Sequence, residues 1–257
     1  MSNPGHIHAV LPDTLGASGE SLDILALGDS WFWHPLQRNL VDSLHGLLPL
    51  TTLMLGEIGR NVADYVDERG SDWNNYVAYL KTYPSIRLVF LSGGGNDFAG
   101  EEDLAPVLGN RCSAATTVEE CLNPPGMDAL FERCQQAMRT LVQQATASNP
   151  RLTVLLHNYD YPWPGDHLRH GLGWLKKPMD TAGIPPNLRH EVIKRLIDTY
   201  GDRLQQLADA DPQRVVFVRT AGTLERGDWD DDMHPKTVGF EKLARRLYAE
   251  LQRRQLF

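Results

Sequence analysis

The sequence of 257 residues is poor in cysteine, and so lacks the disulfide framework of a small secreted fold. Its three cysteines are too widely spaced for a Cys-x-x-Cys metal pair. Cys112 and Cys121 flank a short polar segment and could form one bridge in an oxidising setting, whereas Cys134 lies in a helix-like run. We expect free thiols and no metal site.

Positive charge is also scarce. Lys and Arg together number 25 against 33 Asp and Glu, giving a formal net charge of −8 at pH 7. Because binding to nucleic acid draws on clustered Lys and Arg, this balance argues against a dedicated nucleic-acid surface. The basic residues Lys242, Arg245 and Arg246 are interpreted as the polar side of a helix.

Long apolar runs are missing as well. No stretch approaches the ~20 apolar residues that a transmembrane helix needs, so we expect none. The first eight residues lack both the basic and the apolar part of a secretory signal. We therefore expect a cytoplasmic location, with leaderless export as the alternative.

What the sequence does contain is a regular alternation of two patterns. Short runs rich in Leu, Ile and Val occur at residues 23–28, 51–56, 87–92, 152–157 and 214–219. Helix-like spacing occurs between and after them, at residues 36–48, 60–80, 127–147, 187–209 and 236–254. This alternation predicts an α/β fold in which a central parallel sheet of about five strands is covered by helices on both faces.

Chemically useful residues follow these predicted strands. Ser30 comes directly after the first run, Gly59 after the second and Asn96 after the third, while Asp231 and His234 follow the last. Because open α/β sheets bind ligands at the carboxyl ends of their strands, we expect these residues to share one edge.

The residue types at this edge fit nucleophilic catalysis. A serine hydroxyl is a weak nucleophile until an imidazole takes its proton and a carboxylate orients that imidazole. We therefore predict a triad of Ser30, His234 and one of the three carboxylates before it, Asp230, Asp231 or Asp232. Gly59 and Asn96 lie in glycine-containing turns, where a backbone N–H and a side-chain amide can stabilise a developing oxyanion.

In this order and in these contexts, the residues resemble the SGNH (GDSL-type) hydrolase superfamily. The matching blocks are Gly28-Asp29-Ser30, Gly59, Gly94-Gly95-Asn96-Asp97, and Asp231 with His234. The resemblance implies a flavodoxin-like three-layer α/β/α sandwich and an esterase-like hydrolase that uses no metal or cofactor. It also implies an oxyanion hole made by Ser30, Gly59 and Asn96, and its spacing favours Asp231 as the acid.

The residues after Ser30 depart from the family, because Trp31, Phe32 and Trp33 replace the usual small or leucine residue. Together with aromatic residues farther along the chain, they predict a site that binds an apolar or ring-shaped group. The predicted substrate-binding residues are Trp31, Trp33, Tyr159, Tyr161 and Trp163.

The sequence thus favours a serine hydrolase that cleaves a small-molecule or lipid ester through an acyl-enzyme intermediate. The alternatives are a carbohydrate acetylesterase, because aromatic residues also suit sugar faces, and a non-catalytic ligand-binding protein on the same fold.

No repeat or linker divides the chain. We predict one domain over residues 1–257, with loop insertions at about 99–126 and 159–186. Loops of this length within a compact domain are usually functional or disordered. We interpret both as walls or a lid of the substrate site.

Overall fold

The computed structural model describes residues 6–9, 21–34, 37–165 and 173–257. These residues contain one sheet of six parallel strands in the order β1-β3-β2-β4-β5-β6. The strands are β1 (Ile7–His8), β2 (Ile24–Leu27), β3 (Thr52–Leu55), β4 (Leu88–Leu91), β5 (Thr153–His157) and β6 (Val215–Val218). The five predicted strands are all present, and β1 adds a sixth at the edge.

Every residue of β2 to β6 is buried, which explains why these strands are continuous apolar runs rather than alternating ones. The described helices are α1 (Ser30–Trp33), α2 (Leu40–His45), α3 (Ser71–Thr82), α4 (Glu101–Leu104), α5 (Pro124–Ser148), α6 (Lys176–Ala182), α7 (Pro186–Ala210) and α8 (Thr237–Arg253). Helix α2 packs on α8, while α5 packs on both α3 and α7. The sheet between these groups completes a three-layer α/β/α sandwich.

One predicted helix is interrupted. Residues 60–80 form a short 3₁₀ helix (Val62–Val66) followed by α3, instead of one continuous helix. Between them, the N–H of Gly70 donates to the carbonyl of Asp67 at 2.8 Å, and Gly70 has extended backbone angles that begin α3. The apolar spacing was therefore right over α3, but the 3₁₀ helix and a turn replace the first part of the predicted helix.

The two predicted loop insertions contain short elements. Residues 99–126 include α4, three 3₁₀ segments and the start of α5, with an isolated antiparallel bridge between Leu108 and Leu122. Residues 159–186 include α6, and residues 166–172 of this insertion lie outside the described part. All three cysteines are buried free thiols. The single-domain organisation stays a prediction.

The connections fix where a ligand site is expected. From β2 the chain crosses to β3 on one side and then returns to place β4 on the other, so the direction of winding reverses at β2. Apart from β1, this is the flavodoxin-like strand order, whose ligands bind at the carboxyl edge next to the reversal. Ser30 follows β2 at that point. Among the described residues, no helix is long and apolar enough to cross a membrane.

Candidate active site

Ser30 is held at the first position of α1, immediately beyond β2. Asp29 caps this helix, and its carboxylate accepts a hydrogen bond from the Trp31 N–H at 3.0 Å. The Ser30 hydroxyl oxygen lies 2.8 Å from Nε2 of His234, although 204 positions separate the two residues in sequence. The fold therefore brings the first and last predicted blocks into hydrogen-bond contact.

Asp231 holds the other side of the His234 ring. Nδ1 of His234 lies 2.9 and 3.0 Å from the two carboxylate oxygens of Asp231. The same carboxylate accepts the backbone N–H groups of Met233 and His234 at 2.8 and 2.7 Å. Burial raises the pKa of Asp231, but the contacts with His234 and these N–H groups outweigh it and leave the pKa below its ordinary value.

The neighbouring aspartates have other contacts. Asp232 is fully buried, and its carboxylate accepts the N–H groups of Leu175 and Lys176 at 3.1 and 3.5 Å. Burial raises the pKa of Asp232 to about 6. The backbone N–H of Asp230 donates to the His234 carbonyl at 2.8 Å and helps to close the turn. Of the three consecutive carboxylates, the one that contacts the His234 ring is that of Asp231.

The two other predicted oxyanion residues lie on neighbouring loops. Asn96 begins a 3₁₀ helix (Asn96–Phe98) beyond β4, and its side-chain amide donates to the Arg60 carbonyl at 2.9 Å. Since an amide carries two N–H donors, a second remains for a substrate. Gly59, next to Arg60, is exposed with φ of +80°, and no atom lies within 4 Å of where its Cβ would be. A substrate oxygen can therefore approach its backbone.

A second buried carboxylate lies beneath the serine. Asp29 accepts the Tyr159 hydroxyl at 2.5 Å in addition to the Trp31 N–H. Burial raises the pKa of Asp29, and it also raises that of Tyr159 well above the ordinary value, with the Asp29 charge adding to the shift. This pair ties the segment after β5 to the start of α1.

An apolar pocket opens beside Ser30. Its empty space is about 390 Å³ including the open mouth, but only about 20 Å³ can hold the centre of a water molecule, so the pocket is narrow. The described lining residues are Asp29, Ser30, Trp31, Gly95, Asn96, Phe98, Tyr159, Asp160, Pro162, Leu175, Ile193, Ile197, Trp229 and Met233. A small, mostly apolar group fits such a pocket.

Two of the five predicted substrate-binding residues, Trp31 and Tyr159, line this pocket. The other three have partners elsewhere: Trp33 donates to the Leu55 carbonyl at 3.0 Å, Tyr161 donates to Asp198 at 2.6 Å, and the Trp163 ring stacks on His190 at 3.6 Å. A role for these three in binding substrate stays a prediction.

Several lining residues were not singled out from the sequence. Ile193 and Ile197 are one turn apart on α7 and have the spacing of ordinary core residues, which gives no signal of a pocket. Trp229 and Met233 flank the aspartate run, and their position two residues on either side of Asp231 was an available signal. Among the described residues, no group of three or more His, Cys, Asp or Glu is arranged to hold a metal ion.

Comparison with known proteins agrees with the hydrolase family that the sequence resembles. Residues 25–242 match the model of the GDSL-like lipase/acylhydrolase family. No curated protein is similar enough in sequence to match the chain.

Solved structures with this fold include a lipase from a goat rumen metagenome, with 14% identity, a TM-score of 0.60, and coverage of 89% of this chain and 97% of that one. A carbohydrate acetylesterase from Sinorhizobium meliloti has 16% identity, a TM-score of 0.53 and coverage of 91% and 99%. A phospholipase A1 from Streptomyces albidoflavus has 12% identity, a TM-score of 0.57 and coverage of 90% and 99%. At sequence identities this low, the similarity to these structures shows a shared fold and no more.

Proposed function

Because the chain belongs to the GDSL-like lipase/acylhydrolase family, we propose that it is a serine hydrolase that cleaves carboxylic esters through Ser30, His234 and Asp231. The observation that carries the proposal is the continuous chain of short contacts from the Ser30 hydroxyl through both ring nitrogens of His234 to Asp231. Such a chain is what a weak hydroxyl nucleophile needs at neutral pH.

The reaction has two steps. In the first, Nε2 of His234 takes the Ser30 proton while the Ser30 oxygen attacks the ester carbonyl, and the imidazolium then protonates the departing alcohol. In the second, His234 activates a water molecule that attacks the acyl-enzyme, and Ser30 recovers its proton. Asp231 keeps the proton on Nδ1 and stabilises the imidazolium in both steps.

The oxyanion is held by the backbone N–H groups of Ser30 and Gly59 and by the Asn96 amide. Ser30 is the first residue of α1, where a helix has no internal acceptor for its N–H. Asn96 and Gly59 lie on the loops beyond the two strands that flank β2. Donors fixed in this way stabilise charge that develops in the transition state.

The narrow pocket favours a short acyl group over a long lipid chain. A carbohydrate acetylester, the substrate class of the Sinorhizobium meliloti protein, also meets that limit. Turnover of p-nitrophenyl esters of increasing chain length, compared with acetylated sugars, separates a general short-chain esterase from a carbohydrate acetylesterase.

The test of the proposal is labelling with a fluorophosphonate, followed by mass spectrometry of the modified peptide. We expect the label on Ser30, and we expect Ser30→Ala to abolish it and to lower ester turnover about 10⁴-fold or more. Ser71→Ala, at the exposed start of α3, is the matched control and should label like the wild type. A folded wild-type protein that takes no label would instead be a binding protein.

A further inference from the structure

Ser30 and Asn96 lie on separate segments beyond the ends of neighbouring strands. Backbone bonding between β2 and β4 extends to the Ser92 N–H, which donates to the Leu27 carbonyl at 3.0 Å. Ser30 lies three residues beyond Leu27 and Asn96 four residues beyond Ser92, each at the start of its own helical segment. Because oxyanion donors must be placed before the substrate arrives, a contact that joins these two segments bears directly on the proposed reaction.

The side chain of Tyr159 contacts both segments. Its hydroxyl donates to one carboxylate oxygen of Asp29 at 2.5 Å, and the other oxygen of that carboxylate accepts the Trp31 N–H that begins α1. Its ring lies against Gly95, where an added Cβ would be only 2.8 Å from the ring carbon that bears the hydroxyl, so this approach requires a glycine. The residue before the serine and the residue before the asparagine therefore both pack on Tyr159.

Tyr159 is itself held in place. It follows β5 by two residues and is only 4% exposed. The edge-on contact of its ring with Trp31 has ring centres 4.9 Å apart, and Phe98 contacts the same ring with centres 6.2 Å apart. Because protein interiors are close-packed and transmit small displacements, a rigid ring in this position can fix the spacing of the two segments.

The other side of Ser30, which faces the general base, is held by a different contact. The Trp31 indole N–H donates to the Met233 carbonyl at 3.1 Å and ties α1 to the turn that carries the base. This contact does not use the Tyr159 hydroxyl. Loss of that hydroxyl should therefore disturb the Asn96 side of Ser30 and leave the contact with the base in place.

We propose that Tyr159 is a positioning residue that sets the distance between the Ser30 N–H and the Asn96 amide. Its hydroxyl acts through Asp29 and its ring through Gly95. The inference rests on the proposed ester hydrolysis and adds a residue that acts through other residues rather than on the substrate. Because Tyr159 also lines the pocket beside Ser30, direct binding of the acyl group is the competing explanation that the experiment must separate.

The first variant is Tyr159→Phe, which keeps the ring in the pocket wall but removes the contact with Asp29. With p-nitrophenyl acetate as substrate, we expect kcat to fall about 10- to 100-fold, because a small misplacement of a catalytic group has effects of that size. KM should stay within about threefold of the wild type, since the wall of the pocket keeps its shape. A raised KM with an unchanged kcat would indicate substrate binding and overturn the proposal.

Tyr76→Phe is the matched control. Tyr76 is also fully buried, and its hydroxyl donates to the Leu141 carbonyl at 2.9 Å, between α3 and α5 and outside the described pocket wall. Both variants lose one buried hydrogen bond, so both should lower the midpoint of thermal unfolding, but Tyr76→Phe should keep the wild-type kcat. Equal losses of kcat would show a general effect of destabilisation and overturn the proposal.

A double-mutant cycle tests the route of the effect. If Tyr159 acts by spacing Ser30 from Asn96, its hydroxyl should matter little once the Asn96 amide is gone. In the Asn96→Ala background, Tyr159→Phe should therefore lower kcat by less than about threefold. A merely structural role gives the same loss in both backgrounds, and that result would exclude a positioning role.

A second pair of variants removes the buried charge that Tyr159→Phe leaves with one partner fewer. Burial raises the pKa of Asp29, and the hydrogen bond from Tyr159 opposes that rise. Asp29→Asn removes the charge, keeps an acceptor for the Trp31 N–H and gives the hydroxyl an amide partner. Adding Tyr159→Phe to Asp29→Asn should still lower kcat about tenfold. An unchanged kcat within this neutral pair would count against the proposal even if Tyr159→Phe alone does not fold.

Failure of this inference and failure of the proposed function give different results. Normal turnover by the wild type, with a kcat of folded Tyr159→Phe within about twofold of it, would overturn the positioning role alone. Absence of both ester turnover and fluorophosphonate labelling in folded wild-type protein would overturn the proposed function and this inference together.

Discussion

The loops on the two sides of Ser30 are held very differently. On the β5 and β6 side, His234 and Asp231 are fixed by side-chain and backbone contacts, and the Trp31 indole joins α1 to the same turn. On the β3 side, Gly59 is exposed, and the bond from the Asn96 amide to the carbonyl of neighbouring Arg60 ties its loop to the site.

In the proposed reaction, this difference separates two chemical tasks. Proton transfer from Ser30 needs groups whose distances are set before the substrate arrives, and the buried side provides them. Binding of the oxyanion needs N–H groups that a substrate oxygen can reach, and an exposed glycine provides one. Substitutions on the two sides should therefore differ in size and in kind.

The largest effect is expected at the buried side, from Asp231→Asn. Its amide oxygen would accept the N–H groups of Met233 and His234, leaving the NH₂ group to face Nδ1 of His234. The ring proton would then move to Nε2, which could no longer accept the Ser30 proton, and kcat should fall about 10⁴-fold. Steady-state kinetics on a p-nitrophenyl ester measures it.

Asp232→Asn is the matched control for this prediction. Its oxygen can still accept the N–H groups of Leu175 and Lys176, so the substitution leaves the contacts between His234 and Asp231 in place. We expect kcat within about threefold of the wild type. Equal losses in both variants would contradict the assignment of Asp231.

The next largest effect is expected from Asn96→Ala, which removes a donor where the two sides meet. Loss of one preorganised oxyanion donor should lower kcat by about 10²- to 10³-fold. It also releases the Arg60 carbonyl, so the Gly59 loop becomes less restrained. Kinetics combined with hydrogen exchange of the Gly59 loop would test both parts, and an unchanged kcat would exclude Asn96 from the oxyanion hole.

A third effect concerns Asp97, which links the loop after β4 to the loop after β3. Its carboxylate accepts the Val62 N–H at 2.8 Å, and burial raises its pKa to about 6. Since the pKa in the folded protein exceeds that in the unfolded chain, the stabilisation from protonating Asp97 is complete below about pH 4 and is lost as the pH rises through about 6.

Asp97→Asn keeps an acceptor oxygen but does not titrate. Relative to this variant, the wild type should therefore gain about 2–3 kcal/mol of unfolding free energy between pH 8 and pH 4. Urea unfolding at several pH values measures the difference. A difference independent of pH would show that Asp97 has an ordinary pKa.

The smallest effect is expected from Gly59→Ala. No atom blocks a Cβ at this position, but φ of +80° is unfavourable for alanine. The backbone should therefore relax to another φ, which changes the direction of the Gly59 N–H. We expect about a tenfold loss of kcat and about 1 kcal/mol of stability. Gly56→Ala is the contrast, because its Cβ would lie 2.2 Å from the Gly28 carbonyl oxygen, and it should fail to fold. A normal kcat for Gly59→Ala would remove this N–H from the proposal.

Much of the central architecture could be predicted because its causes are local. Buried parallel strands must be apolar along their whole length, and glycine-containing turns mark where they end, so the sheet and the edge that carries Ser30 and Asn96 follow from the sequence. Strand β1 has two residues, Ile7 and His8, which are too few to form a recognisable pattern. The break in the helix over residues 60–80 depends on the turn before Gly70, which apolar spacing does not record.

Other features depend on distant partners. Nothing near Tyr161 or Trp163 in sequence indicates that they contact Asp198 and His190 on α7 rather than the pocket. The Trp229 N–H is recognised as unpaired only in the structure, when the described residues around it are checked for a hydrogen-bond acceptor. Aromatic composition therefore predicts that a site has rings, but not which rings face the ligand.

The 204-residue separation between Ser30 and His234 has a consequence for synthesis on the ribosome. At about 5–20 residues per second, Ser30 is synthesised some 10–40 seconds before its partner. On the proposed mechanism, a nascent chain therefore carries an inert alcohol until β6 and the following turn join the sheet. Labelling by a fluorophosphonate would then report completed folding, because a chain stalled before His234 has no base to activate its serine.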